Sequence, residues 1–178
     1  MFIDIGAKNA EEAKKLVQIG DFAVFEAPRF EQNGVLCGPY LDNRIGCVTL
    51  LLAMEQLAET ETENDLYFVF TSQEEVGLRG AGAAAFAVEP DVAIAVDVTD
   101  TGDLPEMKTP MAVSLGKGPT VKVMDHSVIC SPAVCADLEK AAAQLGIQTQ
   151  REILLCGGTD TSMLQKARAG VAAGAVSI

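Results

Sequence analysis

Residues 66–97 read LYFVFTSQEEVGLRGAGAAAFAVEPDVAIAVD. The stretch begins with a continuous apolar run, Leu66–Phe70, and ends with a second one, Val92–Val96. Short apolar runs of this kind are typical of strands that are buried on both faces of a sheet. The small residues of Leu78–Ala87 predict a helix between the two runs. The stretch therefore indicates a strand–helix–strand unit, which favours an α/β fold.

The same alternation continues over the rest of the chain from Tyr40 onward. Further helices are predicted at 43–58, 132–145 and 159–167, and further strands at 112–115, 120–123, 152–155 and 171–177. Hydrophobic residues make up 49% of the chain, but only 5% of the residues are aromatic and there is no Trp. The core must therefore be built from Val, Ile, Leu and Ala, which favours buried parallel strands over an all-β sandwich.

Residues 1–40 have a different pattern from the rest. Short apolar runs at Phe2–Ile5 and Phe22–Phe25 predict strands, Asn9 predicts the start of a helix, and Asn33-Gly34 predicts a hairpin turn. We interpret this segment as the C-terminal part of a small β-rich domain. The remaining residues, 41–178, are then an incomplete α/β domain, because the sequence stops on an apolar strand.

Composition and charge exclude several classes of protein. The net charge of −12 argues against nucleic acid or an anionic membrane as the main partner, since both require basic patches. The 5 cysteines contain no CxxC pair, which indicates a reducing compartment without a disulfide framework. No signal peptide and no apolar stretch long enough for a membrane helix is found. These features predict a cytoplasmic protein.

Four carboxylates occupy positions that should meet at one edge of the sheet. Glu74 and Glu75 follow the first apolar run, Asp97 ends the second, and Asp42 stands just before a predicted helix. Residues at the carboxyl ends of strands in an open α/β sheet converge on one crevice. Carboxylates that converge without basic partners either have raised pKa values or hold a cation. Zinc, manganese or cobalt would suit the site if imidazoles joined it.

Each of these residues also has a simpler interpretation. Asp42 could be a helix N-cap, and Glu74 and Glu75 could be a solvated surface pair. Asp97 is harder to dismiss, because a buried Asp needs a partner. Taken together in one crevice, the four favour a metal site. One of the adjacent glutamates could then bind metal while the other takes a proton from a metal-bound water.

A glycine-containing loop, Gly157-Gly158-Thr159-Asp160, follows a predicted strand and opens a predicted helix. Glycines permit close backbone approach, and helix N-termini present free N–H groups to an anion or a carbonyl oxygen. The alternative is an ordinary turn in which Thr159 or Asp160 caps the helix. The only histidine, His126, is interpreted as structural, and no GxSxG elbow supports a serine triad.

Five motifs, in order and spacing, resemble the glutamyl-aminopeptidase and tetrahedral-aminopeptidase family of dinuclear metallopeptidases, some of whose members are labelled endoglucanases or deblocking aminopeptidases. They are LDNR at 41–44, SQEEVGLRGA at 72–81, AVDV at 95–98, GKGP at 116–119 and GGTD at 157–160. The resemblance covers essentially the whole chain. It implies a mixed sheet flanked by helices, an α/β/α sandwich, with residues 1–40 as part of a small inserted β-domain.

The resemblance also implies roles for individual residues. Asp42 would bridge two metal ions, Glu75 and Asp97 would each bind one of them, and Glu74 would be the general base. The glycine-containing loop, 157–160, would bind substrate. The family's remaining ligands are histidines in His-x-Asp and Tyr-x-His segments, and neither segment is present here. We therefore expect weak metal binding and little activity from this chain alone.

The implied function is metal-dependent hydrolysis of N-terminal residues from peptides, with two zinc ions, or cobalt or manganese, as cofactors. The family resemblance also implies a homo-oligomer, a dodecamer built from dimers. An alternative is a non-catalytic assembly or regulatory protein on the same scaffold. A sugar hydrolase is disfavoured, because adjacent Glu74 and Glu75 are poorly placed to flank a glycosidic bond. Asn43, where many relatives have Asp, is expected to matter little.

Overall fold

The structure, a computed structural model, describes residues 2–108 and 110–178. The chain divides into two compact units, one that ends at Pro39 and one that runs from Tyr40 to Ile178. The interpretation of the first unit as part of an inserted β-domain stays a prediction. No helix in the described part of the chain is long and apolar enough to cross a membrane.

The first unit contains one helix, α1 (Ala10–Leu16), and an antiparallel hairpin of β1 (Phe30–Gln32) and β2 (Val35–Cys37). The predicted N-cap is confirmed, because the Asn9 Oδ1 accepts a hydrogen bond from the backbone N–H of Glu12 at 2.9 Å. The predicted hairpin is also confirmed. Asn33 and Gly34 form its turn with positive φ of 53° and 76°, as hairpin turns of this length require.

The strands predicted at Phe2–Ile5 and Phe22–Phe25 are wrong. Neither segment belongs to a strand, and Phe2 and Phe22 are 92% and 99% exposed. An apolar run becomes a strand only where a neighbouring strand completes its hydrogen-bond ladder. Among the described residues, the first unit offers these two segments no such neighbour.

The second unit is a mixed four-stranded sheet with helices. Its helices are α2 (Leu41–Leu57), α3 (Arg79–Val88), α4 (Pro132–Gln144) and α5 (Thr161–Gln165); its strands are β3 (Val92–Asp97), β4 (Thr120–Met124), β5 (Gln150–Ile153) and β6 (Ala172–Ser177). The strand order is β3-β6-β4-β5. β3 is parallel to β6 and β4 is parallel to β5, whereas β4 and β6 are antiparallel. The predicted fold class, a mixed sheet flanked by helices, is confirmed.

Small side chains form the core of this unit. Half of the buried apolar residues that the structure describes are alanines of α3, β3 and β6: Ala81, Ala85, Ala93, Ala95, Ala173 and Ala175. At Gly174 of β6, a Cβ would lie 2.6 Å from the Cγ1 of Val134 on α4. The helix therefore packs onto the sheet at a distance that only glycine permits.

Two predicted strands of the second unit are wrong. Leu66–Phe70 pairs with no strand among the described residues, and Leu66 and Tyr67 are 49% and 64% exposed. Residues 112–115 form no strand either, because the backbone of Ser114 bonds to a side chain instead. Its N–H donates to the Gln150 Oε1 at 2.9 Å, and its carbonyl oxygen accepts from the Gln150 Nε2 at 3.0 Å.

Candidate active site

The start of α2 is fastened to the end of β3 by Asn43. Its Nδ2 donates to the carbonyl oxygen of Val96 at 2.8 Å, and its Oδ1 accepts from the backbone N–H of Gly46 at 3.1 Å. Asp42 and Asn43 both have non-helical backbone angles, so the regular helix begins after them. Asn43, rather than Asp42, therefore caps the helix. The exposed Asp42 carboxylate is carried beside the end of β3.

The adjacent glutamates lie in a tight turn before α3. The backbone N–H groups of Gly77 and Leu78 both donate to the carbonyl oxygen of Glu74, at 3.2 and 2.8 Å. Gln73 and Leu78 have positive φ of 60° and 56°, a region that residues other than glycine rarely enter. Backbone strain of this kind concentrates at functional sites. The turn leaves Glu74 half-buried and Glu75 exposed, so the two neighbouring carboxylates have different surroundings.

Asp97 and Asp160 are the two more buried carboxylates of the site. Asp97 is the last residue of β3 and only 9% exposed, and its Oδ1 accepts from the backbone N–H of Val98 at 2.9 Å. The Asp160 Oδ2 accepts from the hydroxyl of Thr71 at 2.7 Å. The other oxygen of Asp160, Oδ1, is buried and has no hydrogen-bond partner among the described residues. That oxygen can accept a further donor.

The negative charges of these carboxylates act on one another's pKa. The pKa of Glu74 is raised to about 7, first by burial and then by the negative charges of Asp97, Asp160, Glu75 and Asp42. The pKa of Asp97 is raised to about 6, mainly by burial and further by the negative charges of Asp42 and Asp160, while the Val98 N–H and Lys122 lower it. Among the described residues, none of the five carboxylates forms a salt bridge.

The glycine-containing loop presents its first two residues to solvent. Gly157 and Gly158 are exposed, and the carbonyl oxygen of Gly157 accepts from the backbone N–H of His126 at 3.2 Å. A Cβ on Gly158 would lie 2.6 Å from the Oγ of Ser127, so the loop approaches the neighbouring turn at a distance that requires glycine. His126 itself is exposed in that turn.

The last two residues of the loop hold it in place. Thr159 is 2% exposed, and its hydroxyl donates to the Asp125 Oδ2 at 3.2 Å. Asp160 stands at the N-cap position of α5 but makes no capping hydrogen bond there, since its carboxylate bonds to Thr71 instead. The predicted helix at 159–167 is shorter in the structure, where α5 covers Thr161–Gln165. The alternative interpretation, in which the side chain of Thr159 or Asp160 caps the helix, is therefore wrong.

A buried ion pair, which was not predicted, is hydrogen-bonded to the loop that follows Asp97. Lys122 of β4 and Glu152 of β5 are direct partners in the sheet, both are 0% exposed, and the Lys122 Nζ bonds to the Glu152 Oε1. Glu152 also accepts from the hydroxyls of Thr99 at 3.0 Å and Thr120 at 2.5 Å. Thr99 belongs to the loop that follows Asp97, so the pair fixes the segment just beyond that carboxylate.

The structure thus brings the predicted carboxylates together but does not close them around a metal ion. Among the described residues, no group of three or more His, Cys, Asp or Glu side chains is arranged to hold one. That Asn in place of Asp at position 43 matters little stays a prediction, but the capping and bridging contacts of Asn43 were not predicted. An Asn at the start of a helix is a preferred N-cap, which is the signal that could have identified this role. No sequence signal pointed to the pairing of Lys122 with Glu152.

Comparisons with known proteins agree with the fold and the motif order. Residues 1–178 match the family model described as M42 glutamyl aminopeptidase. A putative aminopeptidase of Acetivibrio thermocellus is 50% identical over 178 residues, which are 100% of this chain and 53% of the relative. The crystal structure of a TET aminopeptidase from a marine sediment archaeon of the Thaumarchaeota is 36% identical, with a TM-score of 0.91 over 98% of this chain and 51% of that one.

A third relative, the TET1 peptidase of Pyrococcus horikoshii, is described as able to assemble into a tetrahedron or a large octahedral shell. It is 37% identical, with a TM-score of 0.83 over 98% of this chain and 51% of that one. The chain spans about half the length of these relatives. The family match covers every residue of the chain, and the resemblance read from its motifs is confirmed: the chain belongs to the M42 glutamyl aminopeptidase family.

Proposed function

We propose that this chain provides the catalytic carboxylates of a metal-dependent aminopeptidase, which hydrolyses N-terminal residues from peptides. The observation that carries the proposal is a group of carboxylates that repel one another without a salt-bridge partner among the described residues: Asp42, Glu74, Glu75, Asp97 and Asp160. Such a group is stable with its charges intact only if a cation joins it.

Asp42, Glu75 and Asp97 would hold two divalent ions, with Asp42 between them. Their oxygen donors suit zinc, cobalt or manganese. A bound divalent ion supplies Lewis acidity, which polarises the scissile carbonyl and lowers the pKa of water. The three carboxylates are an incomplete set, because a catalytic zinc usually takes three protein ligands. We therefore propose that the chain alone binds metal weakly and has little or no activity.

Glu74 would be the general base. It would accept the proton of the attacking water and pass it to the amine that leaves. A pKa of about 7, raised by burial and by the neighbouring carboxylates, suits this role, since a base is most effective when its pKa lies near the working pH. Gly157 and Gly158 would receive the substrate backbone, while Thr159 and Asp160 hold the loop through Asp125 and Thr71.

The substrates, the oligomeric state and the cellular compartment are also part of the proposal. A net charge of −12 disfavours nucleic acid and anionic membranes as partners. Membership of an aminopeptidase family supports peptides as the substrates. The assemblies described for the TET1 peptidase support a homo-oligomer, and we propose a dodecamer built from dimers in the cytoplasm.

A chimera tests the catalytic roles. This chain would replace the matching residues of a full-length M42 relative, and hydrolysis of leucine p-nitroanilide would be measured with added zinc or cobalt. Glu74→Gln in the chimera should lower kcat by roughly 10²–10⁴-fold, the usual contribution of a general base, and should leave the metal content unchanged. Glu59→Gln, an exposed glutamate beyond α2, is the matched control. Normal turnover by the Glu74→Gln chimera would remove the proposed role.

A non-catalytic assembly or regulatory role on the same scaffold is the second candidate. It is favoured by the lack, among residues 2–108 and 110–178, of any group of three or more side chains arranged to hold a metal ion. An inactive chimera that folds, assembles and lacks metal would support this second role.

A further inference from the structure

The side chain of Lys122 lies between two buried carboxylates, those of Glu152 and Asp125. Its Nζ bonds to the Glu152 Oε1 and lies 3.9 Å from the Asp125 Oδ2. All three side chains are 0% exposed. One positive charge in the protein interior is therefore shared by two negative ones, and a buried carboxylate that loses its counter-charge is strongly destabilised. The two carboxylates are thus held in place by the same ammonium group.

Glu152 connects Lys122 to the segment that follows Asp97. The Glu152 Oε1, which bonds to Lys122, also accepts a hydrogen bond from the Thr99 hydroxyl at 3.0 Å. Thr99 follows Asp97, a proposed metal ligand, by two residues. The pKa of Asp97 is raised mainly by burial, and the positive charge of Lys122 opposes that rise. Lys122 therefore acts on Asp97 through a chain of hydrogen bonds and through its charge.

Asp125 connects Lys122 to the glycine-containing loop. Its Oδ2, which faces Lys122, accepts from the Thr159 hydroxyl at 3.2 Å. Its Oδ1 accepts from the backbone N–H groups of Ser127 and Val128, at 2.7 and 3.0 Å, and these bonds fix the orientation of the carboxylate. The loop that is proposed to receive the substrate is thus attached to the same ammonium group as the segment beyond Asp97.

Stability alone does not require this arrangement. Replacing a buried ion pair by apolar residues of similar volume is often neutral or stabilising, and valines and alanines fill the core around these strands. Buried polar groups that hold the ligands of a functional site, by contrast, have a use that apolar residues cannot supply. Here the two ends of the buried network are segments of the candidate active site, which favours a role in positioning them.

We propose that Lys122 is a positioning residue, which fixes the Asp97 carboxylate and the glycine-containing loop relative to one another through Glu152 and Asp125. The inference rests on the proposed aminopeptidase function and adds a residue that touches neither metal nor substrate.

Three variants separate the two connections. Thr99→Val removes the hydroxyl that bonds to Glu152, and Thr159→Val removes the hydroxyl that bonds to Asp125, while valine keeps the shape of threonine. The double variant Lys122→Met/Glu152→Gln removes the shared positive charge without leaving Glu152 as a lone buried carboxylate.

Amide hydrogen exchange of the purified chain, followed by NMR without metal, measures the positions of the two segments. The Val98 N–H donates to the Asp97 Oδ1 at 2.9 Å, and the His126 N–H donates to the carbonyl oxygen of Gly157 at 3.2 Å. Thr99→Val should speed exchange at Val98 roughly fivefold, the scale of one net hydrogen bond, and Thr159→Val should do so at His126. The double variant should speed exchange at both.

The Leu145 amide at the end of α4 is the internal reference for global stability. If exchange at Val98 and His126 in the double variant increased no more than exchange at Leu145, Lys122 would only stabilise the fold and the inference would be overturned. Thr49→Val removes an exposed hydroxyl that bonds to the backbone of α2, and as the matched control it should change neither amide.

The chimera measures the consequences for function. Thr99→Val should weaken zinc affinity roughly tenfold or more in a chelator competition, the usual effect of losing a group that supports a metal ligand. Thr159→Val should raise KM roughly fivefold and leave kcat unchanged, as expected for lost substrate binding. The double variant should do both. A double variant that changes only the zinc affinity, or only KM, would overturn the proposed link between the two segments.

Exchange and activity together separate this inference from the proposed function. Faster exchange at Val98 and His126 in the double variant, with a chimera that hydrolyses no aminoacyl p-nitroanilide, would support the positioning role and count against the peptidase role. An active chimera whose double variant keeps the wild-type exchange ratios, zinc affinity and KM would refute the positioning role and leave the peptidase role intact.

Discussion

Asn43 joins the start of α2 to the end of strand β3, because its Nδ2 donates to the carbonyl oxygen of Val96 at 2.8 Å. Val96 immediately precedes Asp97, and Asn43 immediately follows Asp42. One side chain therefore sets the spacing of two of the proposed metal ligands. An aspartate at position 43 could accept from Gly46 but could not donate to Val96 unless it were protonated.

Asn43→Ala should destabilise the Tyr40–Ile178 unit by about 2 kcal/mol, since it removes both a helix cap and a hydrogen bond to the backbone. Asn43→Asp, which keeps the cap, should cost about half as much. Urea denaturation followed by circular dichroism would measure both. Asn64→Ala, at an exposed loop position, is the control. Identical urea midpoints for Asn43→Ala and the wild type would contradict the bridging role.

Gly46→Ala should also destabilise the chain, although alanine normally stabilises a helix by about 1 kcal/mol relative to glycine. The new Cβ would collide with the Oδ1 of Asn43 and displace the cap. Gly82→Ala in α3 is the matched control, because its Cβ would meet only the flexible end of Met163, at 3.0 Å. Thermal denaturation should therefore give a lower Tm for Gly46→Ala than for Gly82→Ala, and the reverse order would show that the cap does not depend on this glycine.

The strand-end position of Asp97 was predictable because that rule needs only the local order of elements. Asp97 closes a strand whose apolar pattern is unambiguous, and Glu74 and Glu75 stand between a run of apolar residues and a helix rich in alanine. Strand pairing was not predictable in the same way. Leu66–Phe70 has the composition of a buried strand but has no ladder partner among the described residues.

Because strand pairing cannot be predicted from local sequence, the contacts of Lys122, Glu152 and Ser114 were not predicted either. Lys122 and Glu152 face each other only because β4 and β5 are neighbours in a particular register, which a single sequence does not specify. Ser114 lies in an apolar segment, yet its backbone bonds to the Gln150 side chain, so residues 112–115 do not form a strand. Long-range partners, rather than local patterns, decided these cases.

Lys122→Met should be among the most destabilising substitutions in the chain, with a cost of about 3–5 kcal/mol, because it leaves the buried Glu152 carboxylate without its counter-charge. The double variant Lys122→Met/Glu152→Gln should recover a large part of this loss. Arg151, the residue before Glu152, forms an exposed ion pair with Glu139. Arg151→Met removes that pair and should lower the free energy of unfolding by about 1 kcal/mol or less. Equal urea midpoints for Lys122→Met and Arg151→Met would show that the buried pair contributes no more than an exposed one.

The cysteines should differ sharply in reactivity. Burial raises the pKa of the Cys130 thiol to about 11, so below that pH the thiol stays protonated and only about one molecule in a thousand carries the reactive thiolate at pH 8. Cys47 and Cys156 are exposed. Brief alkylation by iodoacetamide at pH 8, mapped by mass spectrometry, should modify these two first and Cys130 only after unfolding in urea. Rapid alkylation of Cys130 in the folded chain would contradict its burial.

The purified chain should retain much less than one zinc ion after dialysis against a micromolar zinc buffer. Asp42, Glu75 and Asp97 offer about two carboxylates for each of two ions, whereas a stable catalytic zinc site usually has three protein ligands. Elemental analysis of the dialysed chain measures the retained zinc, and Asp97→Asn should reduce it further. Two tightly held ions would mean that further ligands join the carboxylates, from His126 or from a second copy of the chain. His126→Ala, measured separately and in mixtures with wild-type chain, would then identify which of the two supplies them.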